Sequence, residues 1–151
     1  MKFSSKIVIA CPRTRVLELM RNPEYLTVWQ PNVKGIVLLK GDAGQPGARS
    51  RVIVEVRELR LEMIETILEL SLPDKLTSVY ESRGVKNLVE NRFYEEAPDK
   101  TRWVIDNTLE VSGMMSMVGS VVREISAKQT LASMNRFKAF AEKFDNPTMR
   151  R

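Results

Sequence analysis

The chain has 151 residues, a formal net charge of +5, one cysteine and no histidine. That length is enough for one domain with a real core, and 43% apolar with 28% charged residues is ordinary globular composition. Lacking histidine, it has no Ser-His-Asp or Cys-His nucleophile system and no imidazole general base.

With Cys11 as the sole thiol, tetrahedral His/Cys zinc sites and an internal disulfide are also excluded. A carboxylate-only Mg²⁺ or Ca²⁺ site is still allowed, but nothing in the spacing specifies a metal or a cofactor, and none is expected. Cys11, just before Pro12, reads as a small buried apolar residue. Residues 1–60 and 123–151 carry the basic excess, whereas 61–122 is net acidic. The imbalance is weak steering at most. No Lys/Arg block occurs and the aromatics are not interleaved with bases, so no nucleic-acid partner is expected. The apolar stretch Ile7 to Cys11 is too short for a signal core or a membrane span. The expectation is a cytoplasmic protein with no stable membrane insertion.

Lys2 to Ala10 alternates as a strand, with Phe3, Ser5, Ile7 and Ile9 on one side. Pro12 suits a first helical turn, and Val16, Leu17 and Met20 follow at helical spacing. Asn22-Pro23 interrupts, and a second short helix runs from Pro23 to Val28. Strands are then predicted at Val33–Lys40, Ala48–Glu58, Leu61–Leu72, Leu76–Ser82, Val85–Glu96 and Thr101–Val111. Short turns between them imply an antiparallel meander. In Leu61–Leu72 the apolar set Ile64, Thr66, Leu68, Leu70 is taken as the core face, which puts Glu65 and Glu69 outside.

From Met114 to Phe144 no proline occurs and helix formers are frequent. One long helix is predicted, and its apolar stripe changes phase. Met114, Met117, Val118, Val121, Val122, Ile125 and Ala132 share an early face; Met134, Phe137, Ala141 and Phe144 share a later, nearly opposite one. A bend near Gly119 or Ser126 reconciles them, as does a second covering element or subunit. The fold class is therefore α+β: a curved seven-stranded antiparallel sheet wrapped on a long C-terminal helix, with two short helices after the first strand. Residues 1–144 read as a single domain and 145–151 as a disordered tail.

Several segments resemble one superfamily. These are the opening strand with Pro12-Arg13-Thr14-Arg15-Val16, then Asn22-Pro23-Glu24-Tyr25-Leu26 followed by Trp29-Gln30-Pro31, and the loop Gly41 to Gly47. Glu65-Thr66 with Leu72-Pro73, Asn91-Arg92-Phe93, Thr101-Arg102-Trp103 and the ending Phe137 to Glu142 complete the pattern. Together they resemble a small bacterial branch of the SRPBCC superfamily, the START-like and polyketide cyclase/dehydrase-like proteins of helix-grip fold. The resemblance covers Phe3 to Phe144. It implies a cavity between sheet and long helix that holds an apolar or aromatic small molecule. It implies no single activity, because one fold of this kind carries many.

Asn87, Asn91 and Asn107 share strand faces with Val89, Phe93, Trp103 and Ile105. An unsatisfied buried amide costs ~1–3 kcal/mol, so these asparagines need partners. They either bond a ligand oxygen or bond neighbouring backbone and water; both readings are open. Tyr80, beside Ser78 and Ser82, is a candidate donor to a ligand or packs at the sheet rim. Trp29 is a candidate gate or a core anchor, and Lys128 reads as snorkelling to solvent. The candidate ligand-binding set is Asn87, Asn91, Asn107, Tyr80, Phe93, Trp103, Ile105, Met117, Val121, Ile125 and Trp29. No catalytic residue is assigned.

The leading expectation is a carrier or sequestering protein for a lipid, isoprenoid-quinone or polyketide-like molecule. The alternatives are a cyclase/dehydratase- or hydrolase-type enzyme in the same cavity, drawing on Tyr80, Glu65 or Lys128, and a protein-interaction module or homodimer using the long helix.

Overall fold

The computed structural model describes residues 1–145. Seven strands form one antiparallel sheet: β1 (Lys2–Ile9), β2 (Val33–Lys40), β3 (Arg49–Val56), β4 (Leu59–Ser71), β5 (Lys75–Ser82), β6 (Val85–Ala97) and β7 (Lys100–Val111). Their order is β1-β7-β6-β5-β4-β3-β2, so the first strand closes against the last and the rest is a meander. Helix α1 (Arg13–Arg21), a 3₁₀ turn (Pro23–Tyr25) and α2 (Leu26–Trp29) follow β1. A 3₁₀ segment (Gly113–Val118) leads into α3 (Gly119–Asp145). This is the helix-grip architecture expected. Of the predicted tail only Asp145 is described, closing α3; the remainder lies outside the described residues.

The inner face of the sheet follows from register. Phe3 opposes Asn107, Ile7 opposes Trp103, and Phe93 opposes Trp103 from the other side. On this face Trp103 and Phe93 stack with ring centroids 6.1 Å apart. Phe137 of α3 meets Trp103 edge-on at 5.5 Å and Trp29 at 5.1 Å. Apolar burial and favourable ring geometry both act here, so this aromatic knot joins sheet, α2 and the C-terminal half of α3.

Polar ties fix the same half. The Glu142 carboxylate accepts from Ala10 N–H at 2.7 Å and from the Lys138 ammonium at 2.9 Å. Arg136 donates to the Trp29 carbonyl at 3.0 Å, and Thr101 donates to the Cys11 carbonyl at 2.8 Å. Cys11 is fully buried, as expected.

Three features differ from the sequence reading. The β3–β4 hairpin turns at Arg57-Glu58, both at positive φ (49° and 68°). Arginine and glutamate carry none of the usual Asn-Gly turn signal, so that turn was invisible in the sequence. The second difference concerns β4. Glu65 stands opposite Ser50 and Tyr80 on the inner face, and Leu68 is 51% exposed. A bulge between Ile67 and Glu69 resets the phase, which returns Leu70 to face Leu76.

The third lies in the long helix. The regular α-helix begins only at Gly119, one of the two places where a bend was expected. The early stripe is not core. Met117 is 85% exposed, and Val121 and Ile125 are about half exposed. Met134, Phe137 and Ala141 are fully buried. The helix runs beside β1 along both halves, since Arg123 donates to the Lys2 carbonyl and Lys138 to the Val8 carbonyl. The early stripe is exposed because it lies on the side of the helix turned away from that contact.

Candidate functional site

A cavity of about 380 Å³ lies between the inner face of the sheet, α2 and the middle of α3. Its sheet wall is built from Glu65 on β4, Leu76 and Tyr80 on β5, Asn87, Val89 and Asn91 on β6, and Trp103, Ile105 and Asn107 on β7. Met20, Leu26, Trp29 and Gln30 close one side, and Gln129, Thr130, Ser133 and Met134 of α3 close another. Cross-strand register sets this wall. Tyr80 pairs with Glu65 and with Asn87, so the three side chains lie in one row across β4, β5 and β6. Leu76, Asn91 and Ile105 form a second row.

Hydrogen bonds order the polar part. The Tyr80 hydroxyl donates to Oε2 of Glu65 at 2.6 Å. Burial, and next the neighbouring Glu65 charge, push the phenol well above its ordinary value of 10.0, so it stays a neutral donor. The Trp103 indole N–H donates to Oδ1 of Asn91 at 3.0 Å. Because an indole only donates, this contact fixes which way the Asn91 amide points. Nδ2 of Asn87 donates to Oδ1 of Asn107 at 2.9 Å. The other ends of that pair, Oδ1 of Asn87 and Nδ2 of Asn107, are buried without a hydrogen-bond partner, as is the indole N–H of Trp29. Each such buried polar atom costs ~1–3 kcal/mol, an unusual concentration for one small wall.

Of the residues singled out in the sequence, Asn87, Asn91, Asn107, Tyr80, Trp103, Ile105 and Trp29 do line the cavity. Phe93 does not. It is 1% exposed and lies in the core, stacked on Trp103. Met117, Val121 and Ile125 also stand apart, exposed on the free half of α3 and its 3₁₀ lead. Their stripe was real, but it faces away from the packed interior. Lys128 is exposed and pairs with Glu124 at 3.2 Å.

Glu65 is the principal correction. The alternation of β4 put it outside, yet it faces the cavity and is half-buried. A two-residue turn at 57–58 pairs residues symmetrically about it, which sets Glu65 opposite the inward Ser50. Recognising that turn was the one signal capable of revealing the carboxylate. Met20, Leu26, Gln30, Ser133 and Met134 were also missed as wall residues, since helix faces meet the cavity only through tertiary packing.

The sequence of residues 1–141 matches the family model described as polyketide cyclase/dehydrase and lipid transport. The chain belongs to that family. No curated protein matches the sequence. Among solved structures, the Zhui aromatase/cyclase from Streptomyces sp. R1128 aligns over 98% of this chain and 97% of its own, with TM-score 0.81 and 13% identity. A START superfamily protein from Mycobacterium smegmatis aligns over 95% and 98%, with TM-score 0.77 and 16% identity. A protein from Thermus thermophilus aligns over 97% and 100%, with TM-score 0.77 and 14% identity. At such identities the likeness is one of fold.

Among the described residues no group of three or more His, Cys, Asp or Glu could hold a metal ion. No helix among them is long and apolar enough to cross a membrane.

Proposed function

We propose that this protein binds a hydrophobic small molecule, such as a lipid, an isoprenoid quinone or a polyketide-like compound, between the sheet and α3, and carries or sequesters it. The observation that supports this best is the cavity wall itself. It combines apolar and aromatic surface with a few polar groups, several of which have no partner within the protein. Apolar burial supplies affinity and the amides supply orientation. Native mass spectrometry of the protein purified from its source tests the reading. A bound mass of lipid size that is lost on denaturation is expected; a ligand-free protein that takes up no apolar probe would overturn it.

The Glu65–Tyr80 pair favours a second reading, a cyclase- or dehydratase-type enzyme in the same cavity. Glu65 is the ionic side chain of the wall, and a carboxylate backed by a neutral phenol is a competent general base. On this reading Glu65→Gln abolishes turnover of a polyketide-like substrate but retains its binding. Turnover that survives the substitution would remove Glu65 as the base. The exposed apolar half of α3 is the surface a homodimer would use, and sedimentation over a concentration series checks for one.

A further inference from the structure

The bond between Asn87 and Asn107 leaves one acceptor and one donor unused, Oδ1 of Asn87 and Nδ2 of Asn107. Turning both amides over reverses the bond and again leaves one oxygen and one N–H. Whichever way the pair is drawn, it offers one acceptor and one donor, which a single group that both donates and accepts can pair together. The two residues are diagonal neighbours on β6 and β7: Asn107 opposes Val89, and Asn87 opposes Leu109. Their side chains are in direct contact through that bond, so both belong to one spot on the wall.

Charge narrows the choice. The wall contains the Glu65 carboxylate and neither lysine nor arginine. An anionic head group would enter a partly buried space beside a negative charge, with no cation in the wall to offset it.

We propose that the cavity selects an uncharged apolar molecule by a hydroxyl group, an alcohol or a phenol, held between Asn87 and Asn107. This rests on the binding function proposed above and names the head group it takes. A hydroxyl donates to the free amide oxygen and accepts from the free N–H through a single atom. A carboxylate only accepts, and it meets Glu65. A ketone or ester carbonyl leaves the amide oxygen unpaired, and an ammonium leaves the N–H unpaired. The free ends are closed to solvent, while both side chains line the cavity; holding the hydroxyl requires the amides to rotate about their broad χ2 to present those ends to the ligand.

Calorimetric titration at pH 7 with four probes of one body tests this: 2-naphthol, naphthalene, 2-naphthoate and 2-naphthylmethylammonium. Naphthol should bind about tenfold more tightly than naphthalene, the worth of one or two neutral hydrogen bonds. Naphthoate should bind more weakly than naphthalene. In Asn87→Leu/Asn107→Leu the ratio of naphthol to naphthalene affinity should fall to about one. Equal affinities for naphthol and naphthalene in the wild type, naphthoate binding as tightly as naphthol, or a ratio that survives the double substitution would each overturn the proposal. The wild-type comparison decides even where the variant does not fold. Unselective binding overturns the hydroxyl preference alone and leaves the cavity as a binding site. Binding of none of the probes overturns both.

Discussion

The Tyr80 hydroxyl lies 2.6 Å from Oε2 of Glu65, from one strand to the next on the inner face of the sheet. The contact joins a neutral donor to a carboxylate, which is stronger than a bond between neutral groups. Tyr80→Phe should therefore destabilise the protein by about 1–2 kcal/mol at neutral pH, since water reaching the half-buried carboxylate limits the loss. The phenol's folded value is raised, so its contribution is complete below its ordinary value of 10.0 and is lost as pH rises toward the folded value. Urea denaturation across the alkaline range should show wild type losing more stability above pH 10 than Tyr80→Phe. Parallel curves would mean the phenol titrates normally.

Asn87 and Asn107 should behave as a unit. Asn107→Leu alone removes the acceptor for Asn87 Nδ2 and leaves both ends of a buried amide unpaired. A cost of about 1–3 kcal/mol is expected. The double substitution to leucine removes both polar groups and should cost less than the two single costs added together. A double-mutant cycle by chemical denaturation measures the difference; strict additivity would show that the amides act independently.

The two halves of α3 should respond differently to truncation. Phe137 is fully buried among Trp29, Trp103 and Phe140, so Phe137→Ala should cost about 3–5 kcal/mol. Ile125 is 53% exposed, and Ile125→Ala should stay within about 0.5 kcal/mol. Thermal or urea midpoints check both. A large loss at Ile125 would reveal a partner covering that face.

Glu142 offers a pH signature at the other end of the helix. Burial pushes its carboxyl up, but the Ala10 N–H and the Lys138 ammonium outweigh this and hold it below its ordinary value of 4.5. A depressed folded value stabilises above the unfolded one and is lost as pH falls through the folded one. Glu142→Gln should therefore be less stable than wild type at neutral pH, and the two should converge in acid. The stability difference measured from pH 7 down to pH 3 reports it. A gap that persists unchanged at low pH would assign the loss to packing.

Much of the sheet was legible because period-two alternation survives in β6 and β7, where one face is apolar and amide and the other charged. The inward placement of Asn87, Asn91 and Asn107 follows from that alone. β4 resisted the same reading for two reasons. Its hairpin turn is made by residues without turn chemistry, and a bulge shifts its phase midway. An alternating strand states that it has two faces; only its neighbours state which one is inside. The helix stripe failed in the opposite sense. Met117, Val121 and Ile125 have the right spacing for burial but are exposed, because the early part of α3 meets the sheet through Gly119 and Arg123 on another side.

By itself the sequence determined the class of fold, the family, and the lack of imidazole and disulfide chemistry, because periodicity, turn residues and composition are local quantities. Only the tertiary structure decided that a carboxylate faces the cavity, that Phe93 is core and not wall, and that two amides share one bond and leave two ends free. Those facts depend on register and packing between distant segments, where a shift of one residue turns every side chain to the other face.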